Sequence, residues 1–107
     1  LGHMVEMLPF CLKRLDDRWE IGKKTKKLAK PPSQYVRENI MVTTSGVCSP
    51  EALLCTQLAL GTDRIMFSVD YPYQDPAEAV QFIESAPLSP SDREKICYTN
   101  AKRLLRL

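Results

Sequence analysis

The sequence predicts an α/β fold that forms part of a closed (β/α)8 barrel, and three observations carry that prediction. Two short β-like runs, residues 40–44 and 64–69, alternate with helical patterns, the rhythm of βα units. The second run, Ile65-Met66-Phe67-Ser68-Val69, is almost continuously apolar, as suits a strand covered on both faces of a parallel sheet. Two such strands alone would expose unpaired edges and an apolar face, a conflict that barrel closure removes. A complete barrel takes about 250 residues. The 107 residues are therefore expected to make up roughly its last third, cut from something longer, since the sequence opens on Leu1 rather than Met.

Each element has a local reason. A helix is expected from about residue 9 to 19. The stretch 22–32 carries Lys23, Lys24, Lys26, Lys27 and Lys30 and reads as a solvated surface loop or a phosphate-contacting patch. No aromatic residue is interleaved with its lysines, as a base-stacking surface would require. Ser49-Pro50 opens a helix through Leu53, Leu54 and Leu58, which Gly61 closes. Asp75-Pro76-Ala77-Glu78 opens the next, through Ala79, Val80 and Ile83, and Ser89-Pro90-Ser91-Asp92 opens a last one carrying Ile96, Ala101, Leu104 and Leu105. In all three a short polar side chain can accept from free backbone N–H groups. Proline follows at the first helical position, where its missing donor costs nothing.

Composition excludes several classes. At 12.2 kDa, with 44% hydrophobic and 26% charged residues and a net charge of +2, the chain reads as ordinary globular protein. The near-neutral balance argues against a dedicated nucleic-acid or membrane-surface partner. There is no apolar run near the length of a membrane span and no secretory pattern, so a cytoplasmic location is expected. Cys11, Cys48, Cys55 and Cys97 form no C-x-x-C pair and accompany a single histidine, so neither a structural zinc array nor disulfides are expected.

Two positions stand out for chemistry. Asp70 directly follows the apolar strand, and strand ends of this kind point into the active sites of barrels and open α/β sheets. A carboxylate there can ligate a metal, carry a proton or simply cap a turn. His3 is the sole histidine, the side chain that titrates nearest neutrality, and Glu6 lies within reach of it. Gly2-His3-Met4 taken alone would equally be the remnant of a cleaved affinity tag.

The residues that follow change that reading. Gly2-His3-Met4-Val5-Glu6-Met7-Leu8-Pro9-Phe10 resembles a segment of the metal-dependent aromatic decarboxylases, the hydroxybenzoate-type branch of the amidohydrolase superfamily. The likeness continues, in order, through Tyr35…Arg37-Glu38-Asn39, Thr43-Thr44-Ser45-Gly46, Asp63-Arg64-Ile65-Met66-Phe67-Ser68-Val69-Asp70-Tyr71-Pro72, Asp92-Arg93…Lys95-Ile96 and Asn100-Ala101…Arg103-Leu104.

The resemblance implies a (β/α)8 barrel of which residues 1–107 are one portion, about strands six to eight with their helices and no second domain. It implies one divalent ion, Zn2+ or Mn2+, with Asp70 as a ligand and candidate proton donor. His3 would stand beside the metal, oriented by Glu6, and Arg14 would match an arginine that reaches the substrate carboxylate, in some members across a dimer interface. The implied partners are a small aromatic carboxylate and further copies of the protein in a homo-oligomer. The implied reaction is non-oxidative removal of CO2 from a hydroxylated aromatic acid such as a dihydroxybenzoate or salicylate. A hydrolase of the same superfamily, such as a lactonase, and a non-catalytic truncated remnant are the alternatives. Two departures bear on this. Val5 stands where the family usually has glycine, and the other metal ligands belong to strands one and five, which these residues do not include. The isolated chain is accordingly expected to be inactive.

Overall fold

The computed structural model describes residues 1–22, 24 and 27–107. Its centre is a short parallel sheet. β1 (Val42–Thr43) pairs with β2 (Ile65–Met66) in the register Val42 to Ile65 and Thr43 to Met66. Leu1 extends the sheet on the other side of β1. Its amino group donates to the Met41 carbonyl at 2.7 Å and its carbonyl accepts from the Thr43 N–H at 2.8 Å. Bonding to both residues that flank its partner is the parallel-ladder pattern. Three parallel segments thus lie side by side.

Both strands are shorter than the sequence predicts, for a visible reason. Arg64 is taken up by a 3₁₀ turn, Thr62–Arg64, and beyond Met66 the Phe67 N–H turns away to the Ile96 carbonyl at 2.8 Å. The Thr44 side chain then continues the ladder where the backbone leaves off. Its hydroxyl donates to the Ser68 carbonyl at 3.0 Å and accepts from the Ser68 N–H at 3.1 Å.

Six helices surround the sheet among the described residues: α1 (Leu8–Gly22), α2 (Pro32–Asn39), α3 (Pro50–Leu60), α4 (Pro76–Ser85), α5 (Pro90–Glu94) and α6 (Asn100–Leu105). Ser49, Asp75 and Ser89 cap α3, α4 and α5 by accepting from the N–H groups of Ala52, Ala77 and Asp92, each with proline next in sequence. α5 passes into α6 through a π-turn at Lys95–Thr99, so the last predicted helix is continuous but locally widened and underwound.

α2 occupies residues the sequence reading left without an element. Its cap is supplied from a distance, by Asp16 on α1. The carboxylate accepts from the Ser33 N–H at 2.9 Å and from the Ser33 hydroxyl at 2.6 Å. Arg37 completes the joint by donating to Ser33 Oγ and to the Ala59 carbonyl, both at 2.8 Å. Of the basic stretch, Lys23 and Lys26 lie outside the described residues. Lys24 and Lys27 are exposed, and Lys30 pairs with Glu38 and lies over the Tyr35 ring.

The core lies between the sheet and the helices. Val42 and Ile65 are fully buried at its centre, with Leu12 of α1, Leu53 and Leu60 of α3, Phe82 and Ile83 of α4 and Ile96 packed around them. Each such side chain withdrawn from water contributes about 1.5–3 kcal/mol. Polar groups in this layer are matched. Asn100, wholly buried, donates to the carbonyls of Thr62 and Ile65 at 2.8 Å, tying α6 to the start of β2. Arg93 donates to the carbonyls of Ile83 and Ala86 at the end of α4. The four cysteines are free thiols; Cys97 is exposed and the other three are partly covered, where mostly buried thiols are expected from the sequence.

The radius of gyration is 15.2 Å, against about 13 Å for a compact domain of this length. α3 is apolar on two sides, with Leu54 and Leu58 exposed opposite its buried face. Both features suit a sector of a larger barrel. No described helix is long and apolar enough to cross a membrane.

Candidate active site

The three parallel segments end together, and each delivers one residue to the same point. His3 lies two residues beyond Leu1, Gly46 three beyond β1, and Asp70 four beyond β2. His3 Nε2 stands 3.3 Å from Asp70 Oδ2, with the imidazole about half exposed (49%) and the carboxylate less so (25%). With Nε2 protonated the ring donates to the carboxylate, at the long end of hydrogen-bond range. Catalytic contacts are often this loose before substrate binds. The site is therefore at the C-terminal end of the strands, where barrels and α/β sheets place their chemistry.

The backbone around this point is held in a conformation that side chains rarely adopt. His3, Met4, Val5 and Glu6 all have positive φ, at 53°, 47°, 51° and 56°, and Asp70 has φ 77°. Bonds from the Val5 N–H to the Gly2 carbonyl and from the Glu6 N–H to the His3 carbonyl, both 2.9 Å, close the left-handed turn. The Met4 side chain, 2% exposed, anchors it in the core. Left-handed backbone costs roughly 1–2 kcal/mol per residue and persists where surrounding structure enforces it, typically at functional sites. Val5, the departure from glycine, thus stands at a position that does require positive φ, and a β-branched residue bears the strain there. After Asp70 the chain turns back, the Asp70 carbonyl accepting from the N–H groups of Tyr73 and Gln74 at 2.9 and 3.1 Å.

Of the residues singled out from sequence, His3 and Asp70 are brought into contact. Glu6 lines a cavity of about 340 Å³ that His3, Phe10, Val47 and Glu51 also line. Arg14 is exposed on α1, outside that cavity. Among the described residues no group of three or more His, Cys, Asp or Glu side chains could hold a metal ion. His3 and Asp70 offer two donors where a catalytic site takes about three protein ligands plus an open position. The described residues therefore do not complete a metal site.

Two residues of the site were not singled out from sequence. Thr44 fastens the strand end that carries Asp70. Gly46, at φ 70°, lies so close that a side chain there would collide with the His3 ring and press on the Asp70 carboxylate. A glycine directly after the polar run Thr43-Thr44-Ser45, at the end of a β-like stretch, was the available signal.

Comparison with known proteins identifies the family. A family profile described as Amidohydrolase matches residues 16–107, and the chain belongs to that family. A gamma-resorcylate decarboxylase of Polaromonas sp. (strain JS666 / ATCC BAA-500) is 38% identical over 109 residues, covering 100% of this chain and 33% of that protein. The crystal structure of the 5-carboxyvanillate decarboxylase LigW from Sphingomonas paucimobilis superposes with a TM-score of 0.94 at 42% identity, over 100% of this chain and 33% of that one. A dihydroxybenzoic acid decarboxylase from Polaromonas sp. JS666, with bound manganese and the inhibitor 2-nitroresorcinol, superposes with a TM-score of 0.86 at 37% identity, over 100% and 33%. The chain spans about a third of the length of the curated relatives it matches, corresponding to their C-terminal third. Its architecture is accordingly an incomplete (β/α)8 barrel, as the sequence predicts.

Proposed function

We propose that this chain supplies the acid–base end of a carboxy-lyase that removes CO2 from a hydroxylated aromatic acid, within a whole protein whose single barrel domain includes residues 1–107. The observation that carries the reading is the His3–Asp70 pair at the C-terminal ends of the two parallel segments that flank β1. The decarboxylase activity of the similar proteins supports it.

The reaction explains those residue types. An acid protonates the ring carbon that bears the carboxylate, forming a C–H bond and interrupting aromaticity. The bond to the carboxylate carbon then breaks, its electron pair returns to the ring, and CO2 leaves. The ortho-hydroxyl stabilises the charge in between. The pair of His3 and Asp70, 3.3 Å apart, supplies the acid and is reprotonated by solvent. Exposed Arg14 is available to a substrate carboxylate in a neighbouring copy of a homo-oligomer. The manganese bound by a relative supports a divalent ion, manganese or zinc, in the whole protein, with Asp70 as one ligand. Such an ion supplies Lewis-acid and templating chemistry when bound.

The test is to incubate the whole protein, loaded with either metal, with a panel of ortho-hydroxybenzoates and a panel of lactones. CO2 release without ring opening supports the proposal, and turnover confined to the lactones refutes it in favour of a hydrolase. Asp70→Ala is expected to lower the retained metal several-fold, measured by elemental analysis. Retention at the wild-type ratio would remove Asp70 from the ligand set.

A further inference from the structure

The segment after β1 comes closer to the His3–Asp70 pair than any side chain would permit. A Cβ built on Gly46 would stand 2.7 Å from His3 Cδ2, 2.9 Å from His3 Nε2 and 3.2 Å from Asp70 Oδ2. Real Cβ atoms essentially never approach within 3.0 Å of another heavy atom. We propose that Gly46 is a positioning residue, whose bare backbone forms the floor on which the His3 ring lies against Asp70.

The consequence follows from which side can yield. The His3 backbone is held in its left-handed turn by two hydrogen bonds and by the buried Met4 beside it. The ring, by contrast, is the far end of a half-exposed side chain. A methyl group at position 46 would therefore swing the imidazole outward rather than unfold the strand end. At 3.3 Å the pair is already near the limit of a hydrogen bond, so a displacement of about 1 Å ends it. Misplacement on that scale can cost about 100-fold in rate. The catalytic part of this inference rests on the proposed decarboxylase reading; the positioning part does not.

Gly61 provides the control. It too has positive φ, at 88°, but a Cβ there would meet nothing within 4 Å. With ψ at 150° it lies in a region adopted essentially by glycine alone, so Gly61→Ala imposes backbone strain without displacing any neighbour. His3 is the only histidine of these 107 residues, and in the whole protein its imidazole C–H signals are identified by NMR as those lost in His3→Gln.

The experiment compares those signals at one fixed pH in the whole protein, dialysed against a chelator, as the wild type, Asp70→Asn, Gly46→Ala, the double variant and Gly61→Ala. Asp70→Asn is expected to shift them in the Gly46 background and to leave them unmoved in the Gly46→Ala background, with Gly61→Ala matching the wild type. An equal response in both backgrounds, or none in either, overturns the proposal. So does a Gly46→Ala protein that fails to fold while Gly61→Ala folds, because Gly46 would then be structural. In the whole protein Gly46→Ala is expected to lower kcat about 100-fold with little change in KM. If the NMR result holds and no hydroxybenzoate is decarboxylated, the functional reading falls and the positioning role stands.

Discussion

Replacing Thr44 by valine removes a single oxygen while nearly keeping the shape of the side chain. In the structure that oxygen lies in a residue 2% exposed and makes two bonds, donating to the Ser68 carbonyl at 3.0 Å and accepting from the Ser68 N–H at 3.1 Å. Without it, one backbone donor and one backbone acceptor lose their partner in a covered position. Each such loss costs about 1–3 kcal/mol, so Thr44→Val is expected to destabilise the protein by about 2–6 kcal/mol. Thr44→Ser keeps the hydroxyl and gives up one methyl group, a loss of about 1 kcal/mol. Urea unfolding of the two variants beside the wild type measures the difference. Because Ser68 is two residues from Asp70, valine should also loosen the strand end that presents the carboxylate. A valine variant no less stable than the serine variant would refute the reasoning.

Other perturbations test separate parts of the structure. Val5→Gly should raise stability by about 1 kcal/mol, since relief of left-handed strain exceeds the added entropy of an unfolded glycine; a loss in urea unfolding would show that Val5 packing outweighs its strain. Asp16→Ala should cost about 1–2 kcal/mol at neutral pH by uncapping α2. Burial pushes the Asp16 carboxyl up, but the two Ser33 bonds and the nearby Arg37 and Lys13 outweigh it and hold it below its ordinary 3.8. Its contribution is therefore complete above that value and disappears as pH falls through the lower folded one. The gap between wild type and Asp16→Ala in urea midpoint should close in strong acid, and a gap unchanged there would contradict the assignment.

What could be read from sequence was what local chemistry determines. Ser49-Pro50, Asp75-Pro76 and Ser89-Pro90 each carry a cap and a proline in adjacent positions, and each starts a helix where expected. The apolar run at 65–69 starts a parallel strand where expected, although only Ile65–Met66 pairs in the ladder and only Ile65 is fully buried. Its remaining bonds go to the Thr44 hydroxyl and the Ile96 carbonyl, partners 24 and 29 positions away that no local pattern reveals. α2 was missed for the same reason, because its cap, Asp16, lies on another helix. At the site, the chemistry of His3 and Asp70 marked them, whereas Gly46 has no side chain to mark it. Its role lies in the space it leaves, and only the folded distances disclose that.

In the proposed reaction the His3–Asp70 pair protonates a ring carbon before CO2 departs. The most direct measurement is to run the reaction of the whole protein on an ortho-hydroxybenzoate in D2O, with CO2 and phenol quantified together and the phenol examined by NMR. The account expects equal amounts of CO2 and phenol, one deuterium at the vacated carbon, and loss of that reaction in Asp70→Asn. A product that retains its carboxylate, a ring-opened product, or undiminished turnover in Asp70→Asn would contradict it.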